Sequence, residues 1–424
     1  MSIRGSQILH DVNGFVVDRI QTAGPGSLNI PEEKIYELGN FQTVATVRDI
    51  PDLSFSLQSF DVSCEFESLL IGQDPTTLTA NQEIDFVKHV PIDVISPFKS
   101  RRGAFNIVKG VALPYLTLEK ADYNFGLKQN ASQEFSLKGD SIYYTQGQPY
   151  WKKFAWNNTG APGGTYAFDG MTADKYTEGS NDLYALAVVL VNTTTKAYKR
   201  LFFDPSNHSG YNNSSTAVTI AVDESAAYDE VRITWSSSTT GSYTQTGNNP
   251  NGHPVHEQTV SVKPAAVRPK DIDVFIGTPD TSPAYVRMNS VQSVQVSWSV
   301  QLENDEEFGN AHYVVSDYDV PDVTGQIGIK PFDPADLFRK LSQITGVPSS
   351  EVIGPELAIP LPVEIRINHP DTGVRLKTIH VPDARFQIPG LQGRVQSKLE
   401  NTFNFTSDTG VMKVYNGNGP GGIN

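Results

Sequence analysis

A mainly β fold is what this sequence predicts: one β-sandwich or open-barrel domain present twice, each copy flanked by a short α-helix, with a β-rich segment inserted between the copies. Three observations predict it. Only 19% of the 424 residues are charged while Gly, Pro, Asn, Ser and Thr are plentiful, a balance that favours short strands joined by turns. A stretch near residue 40 recurs near residue 310. Both stretches border segments that alternate with the period of two expected of half-buried strands.

The repeat settles the architecture. Residues 37–52 read ELGNFQTVATVRDIPD and residues 307–322 read EFGNAHYVVSDYDVPD, with seven of sixteen positions identical and no gap. Ordinary composition gives roughly one match in such a window. Upstream, Ile20-Gln21-Thr22 stands where Val291-Gln292-Ser293 stands in the second copy. Downstream, Phe60-Asp61 answers Phe332-Asp333, Pro91 to Val94 answers Pro362 to Ile365, and Gly103 falls against Gly373. Each copy closes on a strand-like tail, Phe135 to Tyr144 and Phe403 to Tyr415. The domains are therefore drawn at 1–149 for copy one, 150–265 for the insert and 266–424 for copy two.

Within copy one, residues 42–48 and 53–60 read as strands split by the Asp49-Ile-Pro-Asp52 turn. A short helix follows, with Asp61 as N-cap and Val62, Phe66 and Leu69 as its apolar stripe. Its counterpart begins at Asp333-Pro334 and carries Leu337, Phe338, Leu341 and Ile344 on one face. Such stripes are core, packing helix on sheet. Further strands are expected over 84–95 and 105–118, matched by 359–367 and 374–381. In the insert, 182–191 and 197–203 read as one hairpin, 217–222 and 230–235 as a second, and 157–165 and 236–252 as polar connectors. The insert is expected to face outward.

Chemistry is sparse. Cys64 is the single cysteine, which excludes an intrachain disulfide and Cys-rich zinc sites. The His253-Pro-Val-His256-Glu257 cluster contains proline beside Gly252, so the one-face helical geometry of a zinc motif is unavailable. Asp169, Asp174, Glu178 and Asp182 lack the spacing of a calcium loop. No G-x-S-x-G elbow or P-loop occurs, and Gly160 to Gly164 reads as a turn. No catalytic, cofactor or metal residue is assigned, and the reading is not an enzyme. A net charge of −14 argues against a protein that grips phosphates. Ten acidic and eight basic residues fall in 150–265, so twelve of the fourteen excess negative charges lie in the two copies. The first ten residues lack the apolar core of a signal peptide, and the longest apolar run, Tyr184 to Val191, is too short to span a bilayer. The expectation is a chain made in a reducing cytoplasm without membrane insertion.

The stretch Ile20-Gln-Thr-Ala-Gly-Pro-Gly26, then Ile35-Tyr-Glu-Leu-Gly-Asn40 and Asp49-Ile-Pro-Asp52, resembles tail tube proteins of long-tailed bacteriophages. So does Leu302-Glu-Asn-Asp-Glu-Glu-Phe-Gly-Asn310 followed by Asp319-Val-Pro-Asp322. The order of elements agrees, and the resemblance covers both copies, leaving the insert outside. It implies a virion protein, made in the host bacterium, that polymerises with itself as stacked rings and meets other tail proteins. The tape-measure protein and DNA would pass through the lumen without specific binding, and no cofactor is implied. Rings of this family commonly present six tube domains, so a chain with two would close a pseudo-sixfold ring from three copies. Carboxylates lining such a channel would repel phosphates.

The residues singled out are structural. Gly39 and Gly309 would supply a backbone conformation that other residues resist. Asp49, Pro51 and Asp52, with their partners Asp319, Pro321 and Asp322, would fix a turn that a neighbouring subunit contacts. Three alternatives stand beside this reading: a baseplate hub or tail terminator; a carbohydrate-binding or surface-layer protein acting through the insert, with Trp151, Trp156, Trp235 and Trp298 as stacking platforms; and an enzyme whose site the linear sequence conceals.

Overall fold

The computed structural model describes residues 10–17, 20–36, 43–60, 62–99, 107–127, 130–156, 164–178, 180–206, 210–220, 227–238, 267–277, 285–306, 312–330, 360–387 and 401–420. Gly39, Gly103, Gly309, the 253–257 cluster and the expected helix from Asp333 to Ile344 fall outside them.

The fold is mainly β and its sheets are antiparallel. In the first repeat the strands are β1 (Asp11–Val12), β2 (Phe15–Val16), β3 (Ile20–Asn29), β4 (Glu32–Tyr36), β5 (Thr43–Arg48) and β6 (Asp52–Ser59). Helix α1 (Glu65–Leu70) follows, then β7 (Gln82–Asp85), β8 (Ile92–Lys99), β9 (Ile107–Gly126), β10 (Ser132–Gly139) and β11 (Tyr143–Thr145). The helix is shorter than expected: Cys64, not Asp61, occupies its N-cap, without a side-chain hydrogen bond. Phe66, Leu69 and Leu70 are buried as the apolar stripe requires. The expected strand 84–95 is broken by a 3₁₀ turn over Phe86–Lys88, capped by the Asp85 carboxylate, which accepts from the Val87 amide.

Strand β9 turns from one layer to the other. Its first half pairs with β8 and β11, and its second half with β10. The change falls at Pro114-Tyr115, where Tyr115 has φ +59. Proline donates nothing to a ladder and a positive φ redirects the chain, so the strand bends there. The layers are thus β3–β6–β10–β9 and β2–β1–β8–β9–β11.

The insert comprises β12 (Gln148–Ala155), β13 (Gly164–Ala167), β14 (Tyr176–Glu178), β15 (Asn181–Leu183), β16 (Ala185–Val191), β17 (Tyr198–Leu201), β18 (Tyr211–Ser214), β19 (Ala217–Ile220) and β20 (Glu230–Ser237). A four-stranded sheet, β12–β20–β16–β17, packs on a three-stranded sheet, β13–β19–β18, around Tyr150, Phe168, Val218 and Trp235. The hairpin over 182–203 is present as β16–β17. The second expected hairpin is not: β19 and β20 lie in opposite layers, β19 forming a tight hairpin with β18 and pairing on its other side with β13, and β20 pairing with β12 and β16. The expected connectors also lose residues to strands, 164–165 to β13 and 236–237 to β20.

The second repeat consists of β21 (Ile272–Ile276), β22 (Val286–Arg287), β23 (Val291–Ser299), β24 (Leu302–Asp305), β25 (Val315–Tyr318), β26 (Asp322–Ile329), β27 (Leu361–Asn368), β28 (Arg375–Phe386), β29 (Asn401–Ser407) and β30 (Lys413–Asn416). Its layers, β23–β26–β29–β28 and β22–β21–β27–β28–β30, repeat the pairing pattern of the first. Pro382 breaks β28 where Pro114 breaks β9. Register corrects one sequence match: Val94 opposite Leu113 corresponds to Val363 opposite Val381, so 91–94 aligns two residues earlier than Pro362 to Ile365.

One hydrophobic core runs through both repeats, from Val12 to Val414. The eight strands β3–β6–β10–β9–β23–β26–β29–β28 form a continuous sheet, because β9 pairs with β23 from Ser293–Gly126 to Ser299–Lys120. Among the described residues no helix is long and apolar enough to cross a membrane.

Candidate assembly surfaces

The singled-out turns have the same geometry. Hairpin β4–β5 and hairpin β24–β25 each lead into the turn before β6 or β26. The Asp49 amide donates to the Pro31 carbonyl at 3.0 Å and its carboxylate accepts from the Ile50 amide at 2.8 Å. The Asp319 amide donates to Gln301 at 3.0 Å and its carboxylate accepts from Val320 at 2.7 Å. Proline at 51 and 321 then ends the turn, half-buried, and Asp52 and Asp322 open the next strand exposed. Gly410, at φ +69, lies so close to the second turn that a Cβ there would sit 1.9 Å from the Pro321 carbonyl oxygen.

Although the turns match, their hairpins have different surroundings. In the second repeat the hairpin lies against the first repeat and the insert. The Tyr313 amide donates to the Asp140 carboxylate at 2.9 Å, Tyr115 donates to the Val314 carbonyl at 3.0 Å, and Tyr198 donates to Ser316 at 2.5 Å. Tyr318 donates to the Val87 carbonyl. In the first repeat, Glu32 and Lys34 of β4 are exposed.

Beyond these hairpin contacts, the two repeats join at three further places among the described residues. The first is β9 on β23. The second is β7 of the first repeat, which pairs with β30 of the second from Gln82–Asn416 to Asp85–Lys413. The third is a buried polar cluster: Lys377 of β28 meets the carboxylate of Glu67 on α1 and donates to Gln133 at 2.9 Å, while Tyr123 donates to Glu67 at 2.9 Å. Both charged side chains are 0% exposed. Charges are retained in such a place only when paired and hydrogen-bonded.

His89 belongs to the same junction. Its ring lies 5.0 Å from Tyr318 and edge-on to Trp298 at 6.3 Å, and its Nδ1 donates to the Phe86 carbonyl at 2.9 Å. Burial depresses its pKa to about 4. Between an ordinary value of 6.5 and 4 the unfolded chain binds a proton that the folded chain refuses. Stability therefore falls as pH drops through that window, by about 3 kcal/mol at most. Urea unfolding at pH 7 and pH 4.5 should show a larger acid loss in the wild type than in His89→Phe; equal losses would contradict the assignment.

A second buried cluster holds the insert on the first repeat. Arg200 of β17 donates to both oxygens of Asp140 at 2.9 and 2.7 Å, with its guanidinium 5.1 Å from the Tyr115 ring. Burial by itself would raise the Asp140 pKa, but the Arg200 charge and then the His312 hydrogen bond bring it well below the usual carboxylate range. Arg232 of β20 donates to the Pro91 carbonyl at 3.1 Å, and Thr234 donates to Asp93. Apolar contacts of Ile95 and Ala112 with Trp151 and Leu186, and of Val90 and Tyr115 with Val189 and Val191, complete the face. Strand β16 is buried along its whole length because both faces of its sheet are covered.

These placements bear on the alternatives. Trp151, Trp156, Trp235 and Trp298 are all buried, at 5% exposure or less, so none offers a sugar-stacking platform. Asp169 pairs with Lys152, Asp182 with Lys175, and Asp174 accepts from the Ser238 amide. Among the described residues no group of three or more His, Cys, Asp or Glu side chains is placed to hold a metal ion. Sequence reasoning missed the buried charges Glu67, Asp93, Asp140, Arg200, Arg232 and Lys377. Local sequence carried little signal for them: Arg200 stands beside Lys199 in β17, and Arg232 shares β20 with Glu230, Thr234, Ser236 and Ser237. Compared with known proteins, the chain matches no family model and no curated sequence.

Proposed function

We propose that this chain is a structural subunit that polymerises through its sheet edges into stacked rings around a channel, as the tail tube of a long-tailed phage does. The edge-to-edge joining of two matching repeats by β9 and β23 carries this reading. That junction is a repeat-to-repeat contact held within one chain, and nothing about its geometry is special to the covalent link. The counterpart of β23 in the first repeat is β3, which among the described residues pairs only with β6. Main-chain bonds along such an edge join further copies without a cofactor. The contact is heterologous, so it closes into a ring when the rotation allows. With two repeats per chain, three chains make a ring of six.

The open face of the eight-stranded sheet suits a channel lining. Ser54, Ser56, Ser136, Gln295, Ser297 and Gln326 alternate along it with buried apolar residues. Lys120 pairs with Asp122, and Lys138 with Glu119, both at 2.8 Å. A hydroxyl- and amide-rich wall without free basic stripes gives phosphates no grip. On this reading DNA slides past a polar surface on which Asp122, Glu134 and Asp322 add carboxylates that repel phosphates.

Negative-stain microscopy of the concentrated full chain, with ring mass by mass photometry, tests the proposal. Hollow stacked rings of three chains are expected. Rings of six chains would contradict the stoichiometry, and a chain that stays monomeric at every concentration would contradict the function.

A further inference from the structure

We infer that the outer edge of β11, with Tyr144 on it, is a docking edge for a second copy of this chain. The inference rests on the ring reading above and adds a second, separate contact to it. Strand β11 corresponds to β30 by register: Tyr143, Tyr144 and Thr145 face Ala112, Val111 and Gly110 of β9, as Lys413, Val414 and Tyr415 face His380, Ile379 and Thr378 of β28. The two strands match in burial at two positions and differ at one. Tyr143 and Lys413 are half-buried, and Thr145 and Tyr415 are each 8% exposed. Tyr144 is 75% exposed, whereas Val414 is 0% exposed.

The cause of the difference is on the far side of β30. There β7, a strand of the other repeat, adds to the sheet. Tyr415 donates to Glu83 of that strand at 2.9 Å, and Lys413 pairs with Glu83 at 2.8 Å. Cys64, at the cap of α1, donates to the Tyr415 carbonyl. Among the described residues β11 pairs only with β9, so its far edge carries no such strand.

The occupant follows from the order of the repeats. The second repeat receives β7 from the repeat that precedes it in the array. The β7 of this chain is already placed on β30 and cannot also cover β11. The strand that covers β11 therefore comes from another copy. A large aromatic with a polar tip, exposed on a short edge strand, is a side chain suited to such an interface.

The test uses the full chain and the variant Tyr144→Lys, followed by sedimentation velocity over a concentration series and by amide hydrogen exchange at 143–145. Because Tyr144 is exposed, the isolated variant should melt as the wild type does. In the wild type, the amides at 143–145 should exchange at least about tenfold more slowly once the chains associate. The variant should need about tenfold more protein, or greater, to associate to the same degree. Association with free-chain exchange at 143–145, and with the variant assembling normally, overturns this inference and leaves the ring reading intact. Absence of association at every concentration overturns both.

Discussion

Replacing Glu67 by alanine is expected to lower stability by about 3–5 kcal/mol, because it strands the Lys377 ammonium in a site with no access to water. Lys377 would keep the Gln133 side chain and the face of the Tyr123 ring at 5.4 Å, neither of which carries a counter-charge, and Tyr123 would lose its acceptor. The effect should appear as a lower urea midpoint with an unchanged slope, since the surface exposed on unfolding stays the same. The double variant Glu67→Gln/Lys377→Met removes both charges and keeps an acceptor for Tyr123. It should recover to within about 1–2 kcal/mol of the wild type, the ordinary result when a buried pair is replaced as a unit. A loss below about 1 kcal/mol in the single variant would mean that the pair is solvated, as surface pairs are. The cluster ties α1 and β10 of the first repeat to β28 of the second, so this measurement also reports whether the repeats unfold as one body.

Arg200→Met is expected to cost a similar amount, about 3–5 kcal/mol at pH 7, by leaving the Asp140 carboxylate buried without its main counter-charge. The pH dependence separates this cause from simple loss of packing. In the wild type the Asp140 pKa lies below its unfolded value of 3.8, so its contribution is present above that pH and is lost as pH falls below it. In the variant, burial dominates and raises the Asp140 pKa above the unfolded value. The folded variant then gains relative stability as the solution is acidified. The gap between the two proteins should narrow from pH 7 toward pH 4. A gap independent of pH would assign the loss to packing of Arg200 on Tyr115. Amide exchange in β17 should quicken in the variant, since Arg200 is a principal link between the insert and the first repeat.

The two buried pairs also explain why the chain does not divide where its composition does. The polar insert reads as a separate body, yet Arg200, Arg232 and Thr234 reach into the first repeat from strands β17 and β20. Likewise the repeats read as two domains, yet a shared core and two strand pairings run across their boundary. Local sequence carries no signal for such contacts. Lys377 and Glu67 are 310 positions apart, and each is an ordinary surface residue type until the fold brings them together.

What the sequence by itself determined was the β class, the repetition, the matching Asp-x-Pro-Asp turns and the Val62–Phe66–Leu69 packing pattern. Those follow from local steric preference, from period-two alternation and from internal identity, all of which are written in neighbouring residues. Tertiary structure alone decided that β19 and β20 lie in opposite layers, that the tryptophans are core, that 91–94 aligns with a different part of β27, and that the first repeat lends β7 to the second. Pairing partners in a sheet are chosen by which edges are free and which faces remain to be buried. That is a property of the assembled chain, and the exposed Tyr144 beside its buried counterpart Val414 is where the choice is still open within a single copy.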